Sequence, residues 1–161
     1  MRQQVEVVAR LPSDESWVVG LLRERWGSTK VVSRGVLHDA SRLPGFVAVL
    51  DGLNAGLLTY RIDRDECEVV TLDAVVENVG VGTSLLDAVQ RLVADNTCRR
   101  VWLITTNDNL HALRFYQRRG FRLAGVYPGA VDESRRLKPE IPLIGAEGIP
   151  IRDEIELELR L

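Results

Sequence analysis

The sequence predicts an α/β (α+β) fold: a single mixed, mostly antiparallel sheet of six or seven strands, with a central parallel βαβ unit and helices on both faces. Three observations predict it. Short strand-like segments recur along the chain, three of them in a row are joined by tight turns, and two amphipathic helical segments flank a short apolar strand. The 161 residues fit one core, so residues 1–161 are expected to form a single domain.

The first strand is predicted at residues 2–10, where three valines recur. A helix follows, with Ser13 as its predicted N-cap and Gly27 as its predicted end. Residues 28–41 fit either a short strand or an irregular cover.

Three antiparallel strands are predicted next, at residues 46–50, 55–62 and 66–72. Residues 51–54 form a hairpin turn between the first two, and residues 63–65 form a second turn.

The central unit consists of an amphipathic helix at residues 82–96, a short apolar strand at 101–105 and a second helix at 109–119. The strands on either side of the first helix should be parallel, with a right-handed crossover. A strand at 121–127 and a short helix at 130–137 follow.

The closing segment alternates apolar and charged side chains, which predicts a strand buried on one face. Its apolar positions are Ile155, Leu157, Leu159 and Leu161, and its charged positions are Glu156, Glu158 and Arg160.

Composition argues against several classes of partner. The net charge of −2, from 21 basic and 23 acidic side chains, gives no general attraction to nucleic acid or to an anionic membrane. No run approaches the roughly 20 apolar residues that span a bilayer, and no apolar leader opens the chain. Cys67 and Cys98 lack disulfide or zinc spacing. We therefore expect buried, reduced thiols, a cytoplasmic location, and no metal.

A glycine-containing turn at residues 77–84 joins a strand to the first helix of the central unit. Gly80 and Gly82 allow positive φ or a close ligand approach, and the free N–H groups of the next helix suit a pyrophosphate. Two such glycines are equally typical of an ordinary tight turn. No P-loop lysine follows, and Leu85 stands where a dinucleotide fingerprint has its third glycine.

A second motif covers residues 109–121 and predicts a helix with N-cap Asn109 and terminator Gly120. Tyr116 lies within this helix. A core aromatic with a partnered hydroxyl is one interpretation, and a functional tyrosine is the other.

Together the two motifs resemble the GCN5-related N-acetyltransferase (GNAT) family. Its pattern Asn-x-x-Ala-x-x-x-Tyr-x-x-x-Gly-Phe is met from Asn109 to Phe121, downstream of x-x-Gly-x-Gly and a helix. The resemblance is strong over residues 66–121 and weak at both ends. It implies the acyl-CoA N-acyltransferase fold and an enzyme that moves the acetyl group of its co-substrate acetyl-CoA directly to an amine.

The resemblance also implies roles for individual residues. Tyr116 corresponds to the tyrosine that lies against the cofactor and protonates the departing thiolate, and Asn109 to the asparagine that contacts the pantetheine arm. The strand end at Leu72, Asp73 and Ala74 would pair with the pantetheine amides and polarise the thioester. The main-chain N–H groups that would hold the pyrophosphate belong to Val79, Gly80, Val81, Gly82 and Thr83.

Glu77 departs from the family pattern, which has a basic or amide side chain at this position. A carboxylate that points toward a pyrophosphate is unfavourable, so we expect Glu77 to point to solvent and the main chain to bind the phosphates. The second helix has a basic side at Arg114, Arg118 and Arg119, one of which is a candidate contact for the ribose 3′-phosphate.

The sequence does not decide which of several groups acts as the general base. Glu66 is the first candidate, because some family members keep a catalytic glutamate at that place. Glu68, on the same face, and Asp73 are others, and a water chain would replace all three. Each carboxylate also fits a solvated strand edge.

The sequence does not identify the amine acceptor. Residues 26–44 and 127–153 lie outside the core and would select it, and there Asp132 and Glu133 either attract a cationic amine or are solvated loop residues. Two alternatives to an enzyme remain. One is a non-catalytic acyl-CoA-binding sensor, and the other is an interaction module that forms a homodimer through its late loops or terminal strand edge.

Overall fold

The computed structural model describes residues 4–161. The strands are β1 (Val5–Ala9), β2 (Lys30–Ser33), β3 (Val36–Asp39), β4 (Gly45–Leu50), β5 (Leu53–Asp63), β6 (Glu66–Ala74), β7 (Arg100–Thr106), β8 (Arg122–Tyr127) and β9 (Glu154–Arg160). Seven of them form one sheet in the order β1-β4-β5-β6-β7-β9-β8, while β2 and β3 form a separate hairpin. In the large sheet β6 and β7 are parallel and the other neighbours antiparallel.

The helices are α1 (Glu15–Trp26), α2 (Val81–Asp95), α3 (Leu110–Arg118) and α4 (Ala130–Leu137). Two apolar clusters hold α1, α2 and α3 on the sheet. Leu85 and Val89 of α2 are fully buried in one cluster, which α3 also joins, and Leu22 of α1 is fully buried in the other. Each such leucine contributes about 1.5–3 kcal/mol when buried. The predicted fold class, with helices on both faces of a mixed sheet, is confirmed.

The start of α1 differs from the prediction. Ser13 lies inside a 3-10 turn, Pro12–Asp14, and Asp14 occupies the N-cap position instead. The Asp14 carboxylate accepts a hydrogen bond of 2.8 Å from the N–H of Leu11. Because proline favours the first position of a helical turn, Pro12 begins the turn one residue before Ser13. Gly27, with φ +81, ends the helix as predicted.

The segment at residues 28–41, which fitted two interpretations, contains the β2–β3 hairpin. Arg34 and Gly35 form its two-residue turn with φ +49 and +76, and positive φ at both positions matches the twist of the flanking strands. The hairpin packs on the α1 face of the sheet, where Val31 joins the α1 cluster.

A β-bulge interrupts β6 shortly before its C-terminal end. Thr59 of β5 pairs with Thr71, whereas the next residue, Tyr60, pairs with Val69. Val70 is the extra residue. A bulge bends its strand and disturbs the regular alternation of side chains.

The bulge changes which side chains of β6 share a face. Before it, Cys67 and Val69 pack into the α2 cluster, whereas after it Leu72 and Ala74 do so. Asp73 thereby turns toward α1. Strict alternation from Cys67 would have placed it on the opposite face.

The closing strand β9 is buried more completely than predicted. Leu157 is fully buried, as expected, but Glu154 and Glu156 on the other face are buried too. Arg100 Nη1 and Tyr127 Oη donate hydrogen bonds of 2.8 and 2.9 Å to Glu156, and such partners allow a carboxylate to be buried. Since β9 lies between β7 and β8, the terminal strand has no free edge for a partner.

Cys67 and Cys98 are buried free thiols, as predicted. Burial raises the pKa of Cys67 to about 12 and also raises the pKa of Cys98, so both stay protonated at neutral pH. Within residues 4–161, no helix is long and apolar enough to cross a bilayer. Across the same residues, His, Cys, Asp and Glu side chains form no group of three suited to a metal ion.

Candidate active site

A cleft opens where β6 and β7 separate. The two strands pair only from Glu66–Arg100 to Glu68–Trp102, and the bulge at Val70 follows directly. Three cavities lie along the opening: a cofactor-side cavity of about 400 Å³ beside the start of α2, a central cavity of about 370 Å³ between the strands, and a far cavity of about 130 Å³ on the α1 face.

The three cavities share lining residues and lie next to one another across the sheet. Asp73 and Tyr116 line both the cofactor-side and the central cavity. Trp26 and Thr105 line both the central and the far cavity, and Asn109 lines all three. A reaction between two molecules that enter from opposite faces would take place near Tyr116.

The first turn of α2 forms one wall of the cofactor-side cavity. Gly80 is its N-cap with φ +86, a conformation that side chains rarely adopt. The Ser84 N–H donates to the Gly80 carbonyl oxygen at 2.9 Å, so the N–H groups of residues 81–83 have no partner inside the helix. They and the positive end of the helix dipole suit an anion. The side chain of Val79, whose main-chain N–H is also a predicted donor, packs beside the α2 cluster.

Gly82 is needed for a contact that the sequence did not reveal. A Cβ atom at Gly82 would lie 2.8 Å from the ring atom Cζ of Phe115 in α3. The glycine therefore lets α2 and α3 approach each other closely, and this approach brings α3 to the mouth of the cavity.

Arg119 extends from the end of α3 to the first turn of α2. Its Nε donates to Thr83 Oγ1 and its Nη1 to the Phe115 carbonyl oxygen, both at 2.8 Å. The guanidinium carbon lies 3.7 Å from the Phe115 ring centroid. Arg119 lines the cofactor-side cavity. Arg114 and Arg118, the other two basic candidates, are exposed on the same helix.

Tyr116 is held by aromatic packing rather than by a hydrogen bond. Its ring contacts those of Phe115 and Phe121 edge-on, with centroids 5.1 and 5.4 Å away. Among residues 4–161 no group is hydrogen-bonded to its hydroxyl, which leaves that group available to a ligand in the cleft. Burial, with a smaller effect from the charge of Asp73, raises the pKa of Tyr116, so the phenol stays protonated.

Comparison with known proteins agrees with this geometry. The family model described as acetyltransferase (GNAT) matches residues 13–121, from the turn before α1 to the residue before β8. The chain belongs to the GNAT family. The protein YdhI of Bacillus subtilis (strain 168) is 45% identical to this GNAT chain over 133 residues, which cover 82% of the chain and 83% of YdhI.

Solved GNAT structures share the fold. An IAA acetyltransferase from Bacillus cereus ATCC 14579 has a TM-score of 0.72 and 19% identity, with 98% of this chain and 100% of that chain covered. A GNAT family acetyltransferase from Elizabethkingia anophelis with acetyl-CoA bound has a TM-score of 0.69 and 16% identity, with 98% of each chain covered. At these low sequence identities, the structural similarity establishes that the chains share a fold.

Asp73 is a carboxylate inside the cleft of this GNAT domain. The Trp26 Nε1 donates a hydrogen bond of 2.9 Å to Asp73 Oδ2. Burial raises the pKa of Asp73, while the bond from Trp26 and the charge of Arg25 act in the opposite direction. A raised pKa makes the ionised carboxylate a better proton acceptor.

The remaining predicted cofactor residues lie along the same cavity. Leu72 and Ala74 flank Asp73 on the stretch of β6 that no longer pairs with β7. Asn109 is the N-cap of α3, as predicted, and its Oδ1 accepts a hydrogen bond of 3.1 Å from the Ala112 N–H. Glu77 is exposed at the rim, as expected from its charge.

The structure does not bring Glu66 to the cleft. It begins β6, six residues before Leu72, and a rise of about 3.3 Å per residue puts roughly 20 Å of strand between them. Its Oε1 forms ion pairs of 2.5 Å with Arg99 and 3.1 Å with Arg100. Glu66 lines none of the three cavities.

Two buried carboxylates line the far cavity. Glu68 is 2% exposed and Glu154 is 3% exposed. Glu68 accepts hydrogen bonds from Ser33 Oγ at 2.6 Å and Arg61 at 3.3 Å, and Glu154 accepts one from Arg34 at 3.4 Å. Burial raises the pKa of both carboxyl groups. Sequence reasoning missed Glu154, because a glutamate at an alternating strand position is usually exposed to solvent.

Asp132 and Glu133, the acids considered for attracting an amine, lie elsewhere. They form exposed ion pairs with Arg135 at 3.0 Å and Arg136 at 3.3 Å along α4. This arrangement favours the interpretation as solvated surface residues.

Proposed function

We propose that this chain is an acetyl-CoA-dependent N-acetyltransferase that moves the acetyl group directly to an amine, with Tyr116 as the general acid. The observation that carries the proposal is the row of three neighbouring cavities across the sheet. A helix N-terminus suited to phosphate lies at one end, two buried carboxylates lie at the other, and Tyr116 lies between them. Family membership supplies the reaction class.

The donor, acetyl-CoA, binds in the cofactor-side cavity. Its diphosphate accepts hydrogen bonds from the first turn of α2, and its pantetheine arm pairs with the open main chain of Leu72, Asp73 and Ala74. Asn109 contacts the arm from α3. The acetyl-CoA bound to the Elizabethkingia anophelis protein, which shares this fold, supports the choice of donor.

The reaction needs two proton transfers. The amine nitrogen attacks the thioester carbon, and an N–H at the end of β6 stabilises the negative charge that develops on the carbonyl oxygen. The C–S bond then breaks, and the leaving thiolate takes the hydroxyl proton of Tyr116. The raised pKa of Tyr116 supports this role, because the acid must be protonated before the bond breaks.

Asp73 accepts the proton that the attacking amine loses. Among the three carboxylates considered, Asp73 is the one that lines the cleft beside Tyr116. Glu68 lies in the far cavity and is the second choice, while the ion pairs of Glu66 hold it at the opposite end of β6. The proton then passes from Asp73 to solvent, and Tyr116 regains its proton from solvent, which restores both groups for the next turnover.

A panel of amines tests the function. Acetyl-CoA is incubated with a peptide N-terminus, a lysyl peptide, free amino acids, polyamines and amine drugs, and release of the CoA thiol is recorded. We expect at least one class to release thiol faster than hydrolysis alone and to gain one acetyl group in its mass. Failure of every class, together with tight acetyl-CoA binding by calorimetry, would favour the sensor function. Absence of binding would contradict both.

The same proposal places the activity in the cytoplasm, where reducing conditions keep Cys67 and Cys98 as thiols.

We also propose that the chain forms a homodimer. The edge strand β8 carries the exposed apolar side chains Leu123 and Val126, which suit such a contact. Sedimentation at micromolar concentration tests the dimer independently of activity.

A further inference from the structure

We infer that Arg119 binds the diphosphate of acetyl-CoA and supplies the positive charge that position 77 lacks. The inference rests on the proposed function, because it concerns the same cofactor-side cavity. Glu77 stands where the GNAT pattern has a basic or amide side chain, and it is exposed at the rim. The first turn of α2 therefore has no cationic side chain from its own strand–helix connection.

The Arg119 guanidinium is fixed in place before any ligand binds. Its bonds to Thr83 Oγ1 and to the Phe115 carbonyl use two of its five N–H donors, and the Phe115 ring covers one of its faces. Within residues 4–161, Nη2 takes part in no hydrogen bond. A guanidinium oriented in this way loses little freedom when it binds a phosphate.

The charge of Arg119 is also unneutralised. Arg99 and Arg100 form ion pairs with Glu66, whereas in the described part of the chain Arg119 has no carboxylate within ion-pair distance. A half-buried arginine without an acidic partner, on the wall of a cavity, is suited to an anionic ligand.

The position of Arg119 selects the diphosphate over the ribose 3′-phosphate. Thr83, to which it is bonded, is the third residue of α2, and its own N–H is among those without a helical partner. A phosphate bound to that turn lies within reach of the guanidinium. The main-chain donors and Arg119 then contact the same anion from two sides.

Calorimetry with two ligands tests the assignment. The probes are CoA and dephospho-CoA, which lacks only the 3′-phosphate. Because a hydrogen bond to a charged group contributes about 1.5–3 kcal/mol, we expect Arg119→Gln to weaken both ligands about 10- to 100-fold and to leave their affinity ratio unchanged. A loss confined to CoA would assign Arg119 to the 3′-phosphate and overturn the inference, as would unchanged affinities.

Two controls separate binding from folding. Arg91→Gln removes an exposed arginine of α2 that lines none of the three cavities, and it should change both affinities less than about two-fold. S-Acetylpantetheine has no diphosphate, so its turnover with the amine found in the panel should not change in Arg119→Gln. An equal loss of that turnover would show a structural role and overturn the inference. If the unmodified chain binds neither CoA nor dephospho-CoA, it is the proposed function that fails.

Discussion

Trp26 donates a hydrogen bond of 2.9 Å from its indole Nε1 to the Asp73 carboxylate, and this bond joins the last residue of α1 to the cleft end of β6. The main chain of Trp26 is held in turn by Lys138, whose Nζ donates to the Trp26 carbonyl oxygen at 2.7 Å. A lysine at a helix C-terminus also interacts favourably with the helix dipole. Three segments distant in sequence thus position one carboxylate in the cleft.

Removing the indole donor should change the pH dependence of the reaction. Trp26→Phe keeps an aromatic ring but loses the hydrogen bond that lowers the pKa of Asp73, so that pKa rises. The base is active only when ionised, and the acid limb of the kcat/KM profile should therefore move to higher pH. Trp17→Phe is the matched control, since Trp17 packs on the α1 cluster. An acid limb that stays in place would leave Asp73 without a role as base.

Replacing the carboxylates themselves separates the candidate bases. Asp73→Asn should lower kcat about 100-fold at neutral pH, the usual range for loss of a general base. Glu66→Gln should leave kcat within about two-fold and reduce the free energy of unfolding by about 1 kcal/mol, because Arg99 and Arg100 lose a partner. Steady-state kinetics and urea unfolding measure the two effects. The reverse pattern would restore Glu66 as the base.

Tyr116→Phe should lower kcat about 100-fold and leave the KM for acetyl-CoA nearly unchanged, because in the proposed mechanism the hydroxyl acts on the leaving thiolate. The active form of Tyr116 is protonated, and burial raises its pKa above the ordinary value. The rate of the unmodified enzyme should therefore not fall at pH 10 through loss of this proton. Thiol release measured up to pH 10 checks both points. Unimpaired turnover by the phenylalanine variant would remove the assigned acid.

A basic side chain at position 77 should strengthen cofactor binding. Glu77→Arg removes a negative charge at the rim of the cofactor-side cavity and adds a positive one, so the KM for acetyl-CoA should fall several-fold. The gain should be greater in an Arg119→Gln background, where the positive charge of Arg119 is absent. Asp87→Arg, an equal charge change on the exposed side of α2, is the control. An unchanged or raised KM would mean that this side chain does not face the phosphates.

Alanine substitutions at the two glycines of the turn should affect the protein through different mechanisms. Gly82→Ala places a methyl group 2.8 Å from Phe115 Cζ, so α3 must shift and both CoA affinity and the thermal midpoint should fall. Gly80→Ala meets no atom within 4 Å but is strained at φ +86, and its cost should be about 1 kcal/mol. Calorimetry and thermal unfolding of the two variants distinguish the mechanisms. Equal effects would contradict the role given to Phe115.

Local patterns were enough to predict the fold class and the helices on one side of the cleft. Helical and strand periodicity depend on the hydrophobic side chains of one segment, so α2 and α4 begin and end within about one residue of their predicted bounds. The N-cap Asn109 and the left-handed Gly80 are also local features, because their chemistry acts on neighbouring residues. The hairpin β2–β3 was left open, since its turn contains only one glycine and its strands are short.

The sequence by itself determined the order of elements, the glycine turn at the start of α2 and the place of Tyr116 in α3. Only the tertiary structure decided which carboxylate lies in the cleft and which arginine is bonded to the first turn of α2. The bulge at Val70 depends on the register between β5 and β6, and the position of Arg119 depends on the close packing of α2 against α3. Contacts between segments far apart in the chain determine the bulge and the position of Arg119. The hydrophobic periodicity of a single segment contains no information about either.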